Sequence, residues 1–467
     1  MEIIKKNDKI FLVGIGGIGM SGIAEILHNL GYKVYGSDLN ESSNVRRLRK
    51  IGINVYIGHD PSNVKGSSLL VYSSAVSKRN SEIISANDLA IPVISRSKML
   101  AELMRMKKTI TIAGSHGKTS TTSIISDIFY SSHFDPTVIN GGIINSFGSN
   151  TKLGSDEWMI VETDESDGSF IELPSFCGVI TSIDNEHLDF YGNMKSLNLA
   201  FEKYINNISI FGFVAVCSDD QRAYKLAKKS KVSKVFFYGH DKKANIMAKN
   251  IRNTKSGTKF DIQLKYNNTS KREVKNFFVP IHGKHNINNA LSAITVTSNL
   301  GVDFQNIKIG LKNFKGVKRR LSLINNVNGV SFYDDYAHHP TEIQATLSAL
   351  KILKKKRIIS IVQPHRYSRL KNTFTQFCNS FDKSNITLFL PVYAAGEKNI
   401  GRYSSKYLAE SIKKNGKKNI YYCQNEEELE SFLINNLRKK DLVVFMGAGN
   451  ISKMAHEFVS KYTGLNK

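Results

Sequence analysis

Thr109-Ile110-Thr111-Ile112-Ala113-Gly114-Ser115-His116-Gly117-Lys118-Thr119-Ser120 is the stretch that decides the fold. Its first five residues are the β-branched, apolar run of a buried strand, and a glycine-bounded loop breaks it. A Ser- and Thr-rich helix, Thr121 to Tyr130, is predicted to follow. The general phosphate loop has a further glycine at the place of Ile112, so a shortened G-x-x-G-K-T remains. It keeps what an anion nest requires: glycines for a tight turn, N–H groups at a helix N-terminus, a lysine for terminal phosphates and a hydroxyl for Mg²⁺. Gly114, Ser115, His116, Gly117, Lys118, Thr119 and Ser120 are thus the expected ATP-binding loop. A glycine-rich strand–helix turn without a ligand is the alternative at this point.

Downstream, carboxylates fall where such a loop needs them. A predicted strand at Trp158–Val161 ends in Glu162-Thr163-Asp164-Glu165-Ser166-Asp167. Another, Gly178–Ile183, ends in Asp184-Asn185-Glu186-His187-Leu188-Asp189. Acidic strand ends beside a phosphate loop are candidate Mg²⁺ ligands, and His187 shares its strand end with Asp184 and Asp189. Farther on, Gly283-Lys284-His285-Asn286-Ile287-Asn288-Asn289-Ala290 opens a helix with clustered amides, suited to a nucleotide base or to ordinary capping.

Upstream, Ile10–Val13 runs into Gly14-Ile15-Gly16-Gly17-Ile18-Gly19 and then a helix, Met20–Leu30. Strands are expected at Lys33–Tyr35, Asn54–Ile57 and Ser68–Tyr72. Glycines 14, 16 and 19, with Asp38 beyond them, fit a dinucleotide-type fingerprint that does not say which nucleotide is bound. From residue 321 a third α/β series begins. Its predicted strands end at Asp334-Asp335-Tyr336-Ala337-His338-His339-Pro340, Gln363-Pro364-His365-Arg366-Tyr367-Ser368-Arg369, Pro391-Val392-Tyr393-Ala394 and Met446-Gly447-Ala448-Gly449-Asn450. Open α/β sheets present ligands at that edge, and Arg366 with Arg369 could fork onto a carboxylate or phosphate. The expected class is α/β in three domains: N-terminal Rossmann-like (1–107), central P-loop ATPase-like (108–320) and C-terminal Rossmann-like (321–467).

The 467 residues carry 65 Lys+Arg against 40 Asp+Glu, a net charge of +25. The basic runs at 228–234, 354–357, 413–418 and 438–440 each close a helical segment before a strand, where cations answer the helix dipole and lie away from the ligand edge. That placement speaks for solvated surface and against a nucleic-acid partner. No apolar run approaches the length of a membrane span. Cys177, Cys217, Cys378 and Cys423 are too scattered for a zinc site or a disulfide framework, as expected of a cytoplasmic protein.

Taken in order, Gly14 to Gly22, Gly117-Lys118-Thr119, Glu162 to Phe170, His187-Leu188-Asp189, His285-Asn286 with Asn289, Gly316-Val317-Lys318-Arg319-Arg320, Asp335 to Pro340 and Gln363 to Arg369 resemble the Mur ligases over essentially the whole chain. The resemblance implies an ATP- and Mg²⁺-dependent ligase. Such an enzyme phosphorylates the lactyl carboxylate of UDP-N-acetylmuramate and passes the acyl group to L-alanine, releasing ADP and phosphate in peptidoglycan precursor synthesis. It implies that Lys118 contacts the γ-phosphate, that Thr119 and Glu162 hold one Mg²⁺ and that His187 holds a second. Asn286 and Asn289 would lie near adenine and ribose, and Arg320 and Asp335 near the nucleotide. Gly14, Gly16, Gly17, Gly19 and Asp38 would take the UDP-sugar, and His338, Arg366 and Arg369 the amino acid.

Several sister ligases carry a carboxylated lysine fourteen residues after the histidine matching His187, where this chain has Phe201. The loop ending in Gly19-Met20 favours alanine addition over its rival in the family, attachment of an intact tripeptide to the same sugar nucleotide. Outside the family, a nicotinamide-dependent dehydrogenase leaves the phosphate loop unused, and a nucleic-acid-stimulated ATPase has no use for Arg366 and Arg369.

Overall fold

The strand that precedes each glycine loop lies in the interior of a sheet. In the computed structural model, which describes residues 5–232, 234–265, 271–353, 357–399 and 401–465, Lys9–Val13 is the middle strand of five. The order is Asn54–Ile57, Lys33–Asp38, Lys9–Val13, Leu69–Tyr72, Val93–Ser95, and every pairing is parallel. Both faces of that strand are buried, as parallel sheets require. Leu12 packs with Met20, Ile23 and Leu27 of the helix Ile18–Asn29. Phe11 and Val13 pack oppositely with Val64, Ile83 and Ala86.

A ten-stranded sheet follows, in which Lys108–Ala113 runs between Ser175–Ile180 and Trp158–Glu162, parallel to both. Register pairs Ile112 with Glu162, so the carboxylate ends its strand beside the glycine loop. The last sheet has six strands. Ser322–Val327 lies antiparallel to Val330–Asp335, and the other pairings are parallel. Met446 is in register with both Asp335 and Val362, which brings three polar clusters to one edge.

The chain packs as two compact units. One holds the residues up to Asn250 with Phe260–Phe278 and Asn288–Lys315; the other holds Ile251–Lys259, Val279–Ile287 and everything from Gly316 onward. The five-stranded sheet lies wholly in the first unit, as do the strands of the ten-stranded sheet from Lys108–Ala113 to Val235–Gly239.

Several boundaries differ from the sequence reading. The second carboxylate strand is Ser175–Ile180, not Gly178–Ile183, because Ser182 turns out to receive the loop N–H groups of Ser115 and His116. The strand expected at Lys33–Tyr35 continues to Asp38, and the helix expected from Thr121 already begins at Lys118. Lys228, Lys229, Lys413 and Lys414 lie in the last turns of their helices, while 354–356 fall outside the described residues. Among the described residues, no helix is long and apolar enough to cross a membrane.

Candidate active site

The phosphate-type loop joins Lys108–Ala113 to the helix Lys118–Ser131. Gly114 has φ +127° and Gly117, the helix N-cap, φ +86°, both costly for any other residue. A Cβ on Gly117 would also clash with Asn289 Oδ1, so Asn289 sits directly on the loop. Ser115 donates its N–H to Ser182 O (2.9 Å) and His116 donates its N–H to Ser182 Oγ (3.1 Å). His116 Nε2 lies 3.1 Å from Asp184 Oδ2, and Asp184 donates its own N–H to Ser115 Oγ (2.8 Å). Ser120 is buried on the first helical turn.

Lys118 Nζ donates to Glu165 Oε1 (2.7 Å) and to Gly114 O (2.5 Å). Burial opposes its charge, but Glu165, Glu162 and Glu186 outweigh burial and hold the ammonium above the usual lysine range. Thr119 Oγ1 donates to Glu162 Oε1 (3.1 Å), whose other oxygen accepts the Gly141 N–H (2.6 Å).

His187, in the left-handed region at φ +56°, brings Nε2 to 3.8 Å from Glu165 and 4.0 Å from Glu186. Ligand atoms of these three residues lie within 4.8 Å of one another, and Glu165 Oε2 is buried without a hydrogen-bond partner. A hydroxyl with a carboxylate, and two carboxylates with an imidazole, are donor sets that fit a divalent cation. Sequence reading missed Glu165 and Glu186 as site residues. Asn286 bonds back to His282 O (2.8 Å) from the start of the helix Lys284–Asn299.

In the first sheet, Gly14 and Ile15 donate their N–H groups to Ser37 O (2.8 and 3.0 Å), and Gly16 donates its N–H to Asp38 Oδ2 (2.9 Å). Gly17 donates to Gly14 O, closing the turn at the start of the helix. A Cβ on Gly19 would come 2.8 Å from Arg96 Nη1, a cation that sequence reading did not single out.

The third sheet gathers the remaining candidates. Asp335 accepts N–H groups from Leu321 and Ala337 (each 2.7 Å) and is pushed up to about 6 by burial, against the pull of Arg320. Its carboxylate braces the segments on both sides of the strand. Arg320 lies over the Tyr336 ring and 3.7 Å from Glu342. His339 is the N-cap of the helix Pro340–Ile352, in a capping box with Glu342. His338 Nδ1 is 2.9 Å from Tyr336 O, and its ring meets that of His365.

Arg366 sits at φ +66° and heads the helix Tyr367–Asn372. Arg369 Nη1 is 3.3 Å from His365 Nδ1; a guanidinium only donates, so that nitrogen accepts. Burial, then His338, Arg369 and Arg366, lower the His365 pKa to about 4, so it is neutral at pH 7. His365, stacked on Tyr393, was quoted in its motif but not singled out. It holds the Arg369 guanidinium, and Arg366 lies close enough to act on the same ring; two such guanidiniums suit a carboxylate.

Three family models match: "Mur ligase family, catalytic domain" over residues 9–108, "Mur ligase middle domain" over 112–297 and "Mur ligase, glutamate ligase domain" over 319–449. The chain is similar to the UDP-N-acetylmuramate–L-alanine ligase of Rhizobium etli, 43% identical over 467 residues, which is 100% of this chain and 99% of that one. It is similar to the solved structure of the UDP-N-acetylmuramate–alanine ligase of Thermotoga maritima, with TM-score 0.82 and 28% identity, over 98% of this chain and 99% of that one. A murein peptide ligase from Psychrobacter arcticus shares the fold, with TM-score 0.71 and 22% identity over 98% and 99% of the two chains.

Proposed function

Because the chain belongs to the Mur ligase family, we propose that it joins L-alanine to the lactyl carboxylate of UDP-N-acetylmuramate at the expense of ATP, as a step of peptidoglycan precursor synthesis. The observation that carries this reading is identity of 43% along the whole chain to a ligase of that name. Ligases of a peptide among the solved structures match at 22% identity, a likeness that shows the fold alone.

A carboxylate is a poor acyl donor because its charge is delocalised and its oxygen leaves badly. Transfer of the γ-phosphoryl group to one carboxylate oxygen supplies a leaving group. The alanine amine then adds to the carbonyl carbon, and the tetrahedral intermediate expels phosphate. The phosphoryl step needs mainly positioning and charge neutralisation. We assign Lys118 to the γ-phosphate and the loop Gly114–Ser120 to the phosphate chain, with Asn289, and Asn286 on the same helix, toward the nucleoside. Mg²⁺ would be held by Thr119 with Glu162, and a second ion by His187; bound there, such ions neutralise charge that develops on phosphoryl and carboxylate oxygens. Gly14, Gly16, Gly17, Gly19 and Asp38 hold the UDP-sugar. Arg320 meets the nucleotide, braced by Asp335. His338 orients alanine, and Arg366 and Arg369 take its carboxylate. We assign these roles to domains spanning 1–107, 108–320 and 321–467.

ADP should form only when ATP, Mg²⁺, UDP-N-acetylmuramate and L-alanine are all present; sustained hydrolysis without the sugar nucleotide would refute the reading. With both lactyl carboxylate oxygens labelled by ¹⁸O, mass spectrometry should find one label in each phosphate released. Label in AMP would establish adenylation instead. Replacing L-alanine by the tripeptide should abolish turnover.

Arg366→Ala should act mainly on alanine saturation, raising its KM about tenfold or more with a smaller change in kcat. The guanidinium contact to the alanine carboxylate is present in ground and transition states alike. A defect confined to ATP saturation would place a different ligand at that strand end.

A further inference from the structure

The first unit contains a fully buried carboxylate that the reaction as described does not use. Glu82, 0% exposed, lies in the first turn of the helix Ser81–Asp88, where the helix dipole favours a negative charge. Its Oε2 accepts the Ser37 hydroxyl (2.5 Å) and lies 2.8 Å from His59 Nδ1. Its Oε1 accepts Asn63 Nδ2 (2.8 Å) and, more weakly, the Asp60 N–H (3.4 Å). One side chain thus ties together the end of the strand Lys33–Asp38, the loop after Asn54–Ile57 and the short turn Pro61–Val64.

Ser37 is the joint between this network and the glycine loop. Its hydroxyl donates to Glu82 and lies 3.0 Å from His59 Nδ1, while its carbonyl receives the N–H groups of Gly14 and Ile15. The next residue, Asp38, receives the N–H of Gly16. Three successive amides of the glycine loop are therefore pinned to a dipeptide that the bond from Ser37 to Glu82 ties to the far helix. We infer that Glu82, acting through Ser37, is a positioning residue that sets the geometry of the glycine loop for the sugar nucleotide without touching it.

A buried carboxylate could serve stability alone, and the two roles separate in kinetics. A positioning role falls on the affinity for one substrate, because the pinned turn sets where the N-terminus of the helix Ile18–Asn29 is presented to the diphosphate. A purely structural role lowers the folded fraction and leaves the behaviour of the folded enzyme intact. This inference rests on the assignment of the UDP-sugar to Gly14–Gly19, so its test begins with that assignment.

The test measures binding of UDP-N-acetylmuramate by calorimetry and steady-state kinetics on the full-length protein, with wild type, Ser37→Ala, Glu82→Gln and Glu82→Ala. Ser37→Ala removes the joint together with the hydroxyl's contact to His59, and it leaves the Glu82 bonds to Asn63 and Asp60 in place. Glu82→Gln keeps an acceptor oxygen for Ser37 and can be accommodated by rotation of the Asn63 amide. Ser37→Ala should weaken sugar-nucleotide binding and raise its KM about tenfold, with kcat and the KM values for ATP and alanine within about twofold of wild type. Glu82→Gln should lie between wild type and Ser37→Ala. Glu82→Ala, if it folds, should be at least as impaired as Ser37→Ala.

Wild-type protein that did not bind the sugar nucleotide would overturn the parent assignment. Wild-type binding with unchanged affinity in folded Ser37→Ala would overturn the inference alone. So would a fall in apparent kcat that tracks the folded fraction while every KM stays at the wild-type value.

Discussion

Lys118→Ala is expected to lower turnover by about 10²–10³-fold at saturating substrates, the usual cost of removing one preorganised charge-stabilising donor. Lys118 is held above the usual lysine range against burial, because Glu165, Glu162 and Glu186 surround it. The ammonium is therefore charged in the resting loop. The substitution also leaves Glu165, 2% exposed, without its cation. Breaking a buried pair typically costs about 3–5 kcal/mol, so Tm should fall too, and rates are compared where both proteins are folded. A further sign is expected in the absence of nucleotide. Three carboxylates lose a shared counter-charge, so Mn²⁺ should bind the variant more tightly than wild type. Near-normal ADP release from folded Lys118→Ala would make the loop a structural turn.

Glu162→Ala is expected to cost about 10²-fold or more, since charge neutralisation by a bound cation is worth several kcal/mol. Glu162 has one oxygen on the Thr119 hydroxyl and the other on the Gly141 N–H. That geometry presents both halves of a hard-cation site at one strand end. The Mg²⁺ concentration for half-maximal activity should rise together with the loss of turnover. Lost activity at an unchanged Mg²⁺ requirement would reduce Glu162 to a brace for the loop around Gly141.

The glycine loops were legible in the sequence because their physics is local. Gly114 and Gly117 take backbone angles that other residues resist, and each precedes or opens a helix. Glu162 was legible because it ends an apolar run. Glu165 was not: within Asp164-Glu165-Ser166-Asp167 nothing local says which carboxylate turns inward to Lys118 and which, like the half-exposed Asp164, meets Arg96. The same holds for Glu186, one residue before His187. His365 escaped for a different reason. Its neutrality comes from burial and from three cationic or ionisable neighbours, Arg366 and Arg369 close by but His338 on another strand end. Sheet order was readable as a class, but not as a sheet of ten strands in which the Lys108–Ala113 strand is interior. The grouping of Ile251–Lys259 and Val279–Ile287 with residues beyond Gly316 was equally invisible, since it depends on packing between segments distant in sequence.

The 2.7 Å bond from Lys118 to Glu165 also bears on product inhibition. The resting loop carries its own counter-anion, attached to the chain and already stripped of water. Free phosphate must displace that anion with loop and lysine contacts alone, and it has no base or sugar to anchor it elsewhere. ATP arrives with a base, a sugar and a run of linked phosphates, so its binding energy is spread over several sites and can outcompete the carboxylate. Under the proposed assignment the loop should discriminate by valency: inorganic phosphate should compete only weakly with ATP for the resting enzyme, as initial rates measured with added phosphate would show.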